Sequence, residues 1–386
     1  MSSSDLSLSE LRKEKISLWT HLSRCNKPCV IYGTGDGAAK IMTVLEKKGI
    51  KVSGIFASDD FVRGQSFCGY KVMTLSQIEE NFSDPVILVA FATKLEEIME
   101  RVRSMEKKHE VYIPDVNVYG DVCRVFDEEY EKENEERIEK TFSLLSTDKS
   151  RRFFASLLDY KLSGKSEYLD MLDECSDEPE DLLSGEISPE SLCDLGAYCG
   201  DTVSEYTRKF PSIKHVAAFE PEAKSFKKLC SFFEGEKAPS LETKPLLVNA
   251  AAWNENGELE FGGEKGRGSS AFSSNSSFPL HSVKVRTVRT ARVDDELKGN
   301  GFIIPEGKEK LVIKFDVEGC EREALEGCRG TIEKYSPVIY LSCYHMNEDI
   351  FLPLYIEEII KKGCEFYMRR ARKCFPAWET EYVILP

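Results

Sequence analysis

Cys193-Asp194-Leu195-Gly196-Ala197-Tyr198-Cys199-Gly200-Asp201-Thr202 is the stretch on which the fold turns. An apolar run from 191 to 195 predicts a strand. It meets a carboxylate and then small residues, and the pattern predicts a helix from Asp201. Small residues let a backbone approach a ligand closely, and a helix start presents free N–H groups. In open α/β sheets such a loop lies outside the carboxyl ends of the strands, where ligands bind. Asp194 adds a carboxylate that can face a cationic headgroup.

Downstream, Val216-Ala217-Ala218-Phe219-Glu220-Pro221 predicts a second strand ending in an acid. An acid at that position accepts hydrogen bonds from both hydroxyls of a ribose. The loop before it is not G-x-G-x-x-G, so it is not built to cradle a pyrophosphate. Val248-Asn249-Ala250-Ala251-Ala252 ends a third strand. Asn249 and Ala250 would flank an adenine there, although an ordinary strand end with small packing residues reads equally well. Leu311 to Gly319 delivers Asp316 and Glu318 to the end of a further strand. Two carboxylates at that edge suit a general base, a metal or a substrate hydroxyl. Glu318 alternatively caps the helix predicted over 320–335. His345 ends the next strand, beside Asp316, and an imidazole that titrates near neutrality suits proton transfer. Two carboxylates and one histidine without a fourth ligand argue against a metal.

The remaining pattern predicts strands at 215–219, 245–251 and 337–343, a ribbon at 283–290, and a closing hairpin of 365–371 with 380–385. The sum is an α/β domain of six parallel strands and one antiparallel strand. Residues 262–278 are too rich in Gly and Ser for a core. They read as a flexible loop or as an acceptor lid carrying Arg267, Ser269 and Ser270.

These motifs together resemble the FkbM family of methyltransferases. Further matches are Asp294-Asp295 within Val288–Leu297, Ala324 to Gly327, Pro337 and Tyr344-His345. The resemblance covers 191–386, about half the chain. It implies a class I methyltransferase fold, Rossmann-like, with S-adenosyl-L-methionine as cofactor. Asp194, Gly196, Ala197, Gly200, Asp201, Thr202, Glu220, Asn249 and Ala250 would bind that cofactor. Asp316 and His345 would be catalytic, with His345 the favoured base, and Glu318 would meet the substrate. The acceptor implied is a hydroxyl of a sugar, glycan or secondary metabolite. The closing hairpin is unusually basic for the family (Arg369, Arg370, Arg372, Lys373), which leaves the acceptor open.

The N-terminal part repeats the strand–helix alternation over 27–118. Gly33-Thr34-Gly35-Asp36-Gly37 follows an apolar strand and precedes a helix, a context that suits a phosphate-approaching turn. With Val52 to Phe56, Asp59-Asp60, Gly64 and Gly69 to Val72, it resembles the nucleotide-sugar-binding domain of bacterial sugar acyltransferases. That resemblance implies a second nucleotide site at Gly33, Gly35, Gly37 and Asp59, holding a nucleotide or nucleotide sugar. The competing reading is a scaffold used for assembly, which makes a homo-oligomer an expected partner. A nucleotide-sensing protein with a silent methyltransferase-like half is the rival function. An NAD-dependent oxidoreductase is disfavoured, because no Tyr-x-x-x-Lys set accompanies the glycines.

The 386 residues divide on this reading into a helix (1–26), a Rossmann-like domain (27–120), an acidic helical connector (121–185) and the methyltransferase domain (186–386). The net charge is −15. Most of it sits in 121–190, with 21 Asp or Glu against 9 Lys or Arg. An acidic chain without a basic face is a poor match for a phosphate backbone, so nucleic acid is not an expected partner. Thirteen scattered cysteines with no C-x-x-C pair suggest reduced thiols and a cytoplasmic setting. No apolar run approaches the ~18 residues of a span, and no signal peptide is expected.

Overall fold

The computed structural model describes residues 6–263, 270–271 and 284–386. The chain forms two compact units. The first comprises Met1–Ser143, Thr147–Ser176 and Arg369–Thr380, and the second Leu144–Ser146, Asp177–Met368 and Glu381–Pro386.

In the first unit, strands β1 (Cys29–Tyr32), β2 (Val52–Phe56), β3 (Ser66–Phe67), β4 (Tyr70–Met73), β5 (Val86–Val89) and β6 (Glu110–Tyr112) form one sheet, ordered β3-β4-β2-β1-β5-β6. All pairs but β3–β4 are parallel. The residues of β1 and β5 are buried throughout, which is why both read as unbroken apolar runs. Helices Asp36–Lys47, Leu75–Asn81 and Glu96–Glu106 supply the crossovers. Residues 121–185 are helical as expected, in five helices from Glu128–Glu133 to Glu180–Ser184.

Two local features have long-range causes. The stretch 5–24 is two short helices, Leu8–Leu11 and Leu18–Arg24, not one. Between them the backbone gives its N–H groups to distant acids. Lys13 and Glu14 donate to the buried Asp159, and Ser17 donates to Glu128. Arg12 completes the knot on Asp159 at 2.7 Å and Glu131 at 2.5 Å. Asp173, in the acidic stretch, is likewise tied to a residue far along the chain. Asp173 pairs at 2.9 Å with Arg370, whose side chain is buried and reaches the Leu169 and Pro376 carbonyls. The basic hairpin therefore owes Arg370 to the interior of the first unit.

In the second unit, β7 (Ser191–Leu195), β8 (His215–Phe219) and β9 (Leu246–Val248) precede a small separate sheet of β10 (Ala251–Ala252), β11 (Gly257–Gly263), β12 (Ser270–Ala271) and β13 (Lys284–Ala291). Then follow β14 (Leu311–Phe315), β15 (Val338–Ser342), β16 (Glu365–Arg370) and β17 (Thr380–Leu385). The main sheet is ordered β16-β17-β15-β14-β7-β8-β9. Five of its strands are parallel, not six, and β17 runs antiparallel to β15. The ribbon at 283–290 spends its hydrogen bonds on β11 and leaves the main sheet. One face of the main sheet packs Leu192, Val216, Val312, Val338 and Val383 into a single apolar core. The predicted helix 320–335 is broken at Cys328 into Glu321–Gly327 and Arg329–Tyr335. Asp294 caps the second piece through the Gly330 and Thr331 N–H groups, which gives the family's Asp294 a structural role. No helix among the described residues is long and apolar enough to cross a membrane.

Candidate active site

The carboxyl ends of β7, β8, β9, β14 and β15 gather the described residues of the expected site. Asp194 is fully buried, and neither carboxylate oxygen has a hydrogen-bond partner among the described residues. Burial pushes its carboxyl well above the ordinary range, while Lys314 on β14 pulls it back. An orphaned buried acid is costly, and a cationic ligand would relieve the cost.

Gly196 follows with φ of +92°. A Cβ there would lie 2.0 Å from the Asp316 carbonyl oxygen, so the two strand ends touch only because this residue is glycine. Gly196→Ala is expected to lower stability by about 2 kcal/mol or more, read as a falling Tm in a thermal melt. An unchanged Tm would mean the loop relaxes freely. Ala197 is buried, Gly200 (φ +90°) precedes the helix Asp201–Lys209, and Asp201 and Thr202 form its first turn.

Glu220 lies just past β8 and is buried. Its two oxygens accept from the Tyr198 N–H at 2.9 Å and the Glu222 N–H at 2.7 Å. Burial raises its pKa to about 7 against the pull of those two N–H groups. Asn249 donates to the Glu220 carbonyl at 2.8 Å, tying the ends of β8 and β9 together, and Ala250 beside it is buried.

Asp316 and Glu318 are about a third exposed, whereas His345 is fully buried. The ring's Nε2 lies 3.4 Å from both Asp316 Oδ1 and Glu318 Oε2. Its Nδ1 lies 3.0 Å from Glu321 Oε1. Glu321 also accepts from the Val317 and Gly319 N–H groups, which holds the turn that carries Glu318 at φ +59°. Tyr344 donates to Asp316 at 3.3 Å.

This geometry bears on the role expected of His345. Burial favours the neutral ring, but Glu321 and Glu318 outweigh it and hold the pKa well above the usual imidazole value. A ring biased toward its protonated form and closed to solvent is poorly placed to take up a further proton. Glu321 was missed, since in sequence it looks like any acid in a first helical turn. Its spacing, three residues after Glu318 and five after Asp316, was the available signal.

Asp316, Glu321 and His345 lie close enough together to be considered for a cation. Glu321 is already held there by the Val317 and Gly319 N–H groups and faces the ring's Nδ1. In the first unit, His21, Cys25 and Glu110 are similarly close. There Glu110 is already paired with Lys27 at 2.9 Å.

Arg267 and Ser269 lie outside the described residues, and Ser270 begins β12. The second expected site is in the first unit. Cβ atoms at Gly37 and Gly33 would lie 2.5 Å from the Ala90 carbonyl and 3.0 Å from Phe91, so packing against the end of β5 explains both glycines. Gly35 caps the helix Asp36–Lys47 and faces open space, and Asp59 is exposed beyond β2. Gly35→Val is therefore expected to leave the Tm of the full chain unchanged. If a nucleotide or UDP-sugar binds at this loop, the same variant abolishes that binding by calorimetry. Failure of the unmutated chain to bind any of them favours the scaffold.

A mostly parallel sheet whose strand ends carry a glycine loop, an acid after the second strand and an Asp–His pair defines a class I methyltransferase-type domain. Residues 194–366 match the family described as the methyltransferase FkbM domain, and residues 25–112 match the C2185-like N-terminal family. A crystal structure of a methyltransferase FkbM from Methylobacillus flagellatus KT is similar in fold. Its TM-score is 0.63 at 16% identity, covering 93% of this chain and 90% of that one. The structure of M. jannaschii TYW2 in complex with AdoMet matches at TM-score 0.24 and 14% identity, over 53% of this chain and 72% of that one. No curated protein matches the chain. Residues 194–366 thus match the FkbM methyltransferase family in sequence, and the chain is similar to a methyltransferase FkbM in fold.

Proposed function

We propose that the second unit transfers a methyl group from S-adenosyl-L-methionine to a hydroxyl of a sugar, glycan or secondary-metabolite acceptor. The observation that carries the reading is Asp194, buried at the loop with both oxygens unpartnered. The cofactor's amino group would satisfy it. Glu220 would take the ribose hydroxyls, the loop from Gly196 to Thr202 would lie along the cofactor, and Asn249 with Ala250 would border the adenine. When bound, the cofactor supplies an electrophilic methyl on a sulfonium.

The acceptor hydroxyl must lose its proton as its oxygen bonds the methyl carbon, because a neutral hydroxyl is a weak nucleophile. Asp316, partly exposed at the strand edge, is the group placed to take it. His345, as an imidazolium, holds Asp316 and Glu318 side by side, and Glu321 anchors the ring from behind. Glu318 would then hydrogen-bond the acceptor.

The test is methyl transfer to a panel of sugar and phenolic hydroxyls, read as S-adenosylhomocysteine formed. Turnover is expected to survive EDTA. Its abolition, with rescue by Mg²⁺ or Mn²⁺, would overturn the metal-free reading. No S-adenosylhomocysteine binding by calorimetry would overturn the function and favour a silent domain beside a nucleotide-binding one.

A further inference from the structure

A lysine inside a central strand of a sheet buried on both faces needs a reason. Lys314 is the fourth of the five residues of β14, Leu311-Val312-Ile313-Lys314-Phe315. Register places it directly opposite Asp194 on β7. Its ammonium donates to Ser342 Oγ on β15 at 2.8 Å and to Glu381 Oε2 on β17 at 2.9 Å. It also reaches the Phe315 carbonyl at 3.3 Å and lies 4.0 Å from Asp316 Oδ2. Lys314 and Glu381 are both buried. Among the described residues of the second unit, no other lysine or arginine falls in the buried class.

The surroundings of this ammonium are acid-rich. Asp194 is influenced by Asp201 on the first helix, Glu220 past β8 and Asp316 past β14, as well as by Lys314. Asp316 faces His345, Tyr344 and Glu318. Coulomb interactions between groups this close and this buried are weakly screened. A buried anion opposite it, Glu381, sets how much of the lysine's charge remains for the site.

We propose that Lys314 is the positioning cation of the active site: anchored by Ser342 and Glu381, it favours the ionised forms of Asp194 and Asp316 at the strand edge. The proposal deepens the methyltransferase reading and rests on it for the meaning of the two acids. Asp194 must be anionic to hold a cationic amino group, and Asp316 must be anionic to accept a proton. Glu381 tunes both from three strands away from Asp194.

The experiment is an NMR titration of the free, full-length protein carrying ¹³C-labelled aspartate carboxyls. Asp194→Asn and Asp316→Asn assign the two signals. The double variant Lys314→Met with Glu381→Gln removes the buried pair together, which avoids leaving one charge uncompensated. Both titration midpoints are expected to rise by about one pH unit or more. Glu381→Gln alone leaves the lysine's charge to the site, and both midpoints are expected to fall. Unchanged midpoints in the folded double variant, or shifts of the same sign in both proteins, would overturn the proposal. S-adenosylhomocysteine calorimetry on the unmutated protein separates the two failures. If it binds but the midpoints do not move, only the role of Lys314 is lost.

Discussion

Asp316→Asn is expected to lower turnover by about 10²-fold or more while leaving S-adenosylhomocysteine affinity nearly unchanged. Asparagine keeps the size and the Tyr344 contact but cannot accept the acceptor's proton. The carboxylate is partly exposed, and the acids around the buried ring beside it favour that ring's protonated form. His345→Ala should also lower turnover, by a different route. Without the imidazolium, Asp316, Glu318 and Glu321 face one another as like charges, so the pH at which the base works should rise. A single-turnover pH profile separates the two variants. Full activity in Asp316→Asn would leave the base unassigned, and an unshifted profile in His345→Ala would return the ring to a packing role.

The second large effect is expected at Glu220. Glu220→Ala would remove two hydrogen bonds to the ribose, a loss of ~2–4 kcal/mol in cofactor affinity if both are charge-assisted. Calorimetry with S-adenosylhomocysteine reads it directly. A folded variant with unchanged affinity refutes the site. The acid's titration adds a signature. Its pKa is raised to about 7 in the free protein, so the folded chain holds that proton more tightly than the unfolded one. Its contribution to folding is therefore full below the ordinary glutamate range and is lost as pH rises through about 7. Ligand binding runs the other way, because ribose hydroxyls donate to the carboxylate. Affinity should weaken as pH falls below 7, and Glu220→Gln should flatten that dependence.

The convergence of the candidate residues was legible because strand ends were legible. Asp194, Glu220, Asp316 and His345 each follow a short apolar run, and parallel strands must end on one edge, so four positions far apart in sequence converge. What the residues do to one another was not legible. Which acid meets which ring nitrogen depends on how the turn at Glu318 folds, and that turn is held by Glu321, an acid with no distinguishing neighbours. Lys314, a charge in an apolar strand, finds its partner Glu381 far along the chain, 67 residues away. The fold shows the same division. Helices and buried strands were visible from local pattern. The break at Arg12–Ser17 was not, because the acid that holds it, Asp159, is 147 residues from Arg12.

The segment Arg369–Thr380 gives the chain an unusual order of completion. It joins two strands of the second unit's sheet yet belongs to the first unit. There Phe375 bridges Thr93 and Arg370 serves Asp173. The first unit is thus begun before the second in sequence and finished by a segment that follows most of the second. A nascent chain that has emerged only as far as residue 176 carries most of that unit with its closing piece still unmade. Maturation of the N-terminal half must then wait for the methyltransferase half to be synthesised. Chains truncated at residue 368 are expected to show it as protease cleavage within 80–176, where the complete protein resists. Equal resistance would show that the first unit closes without its last segment.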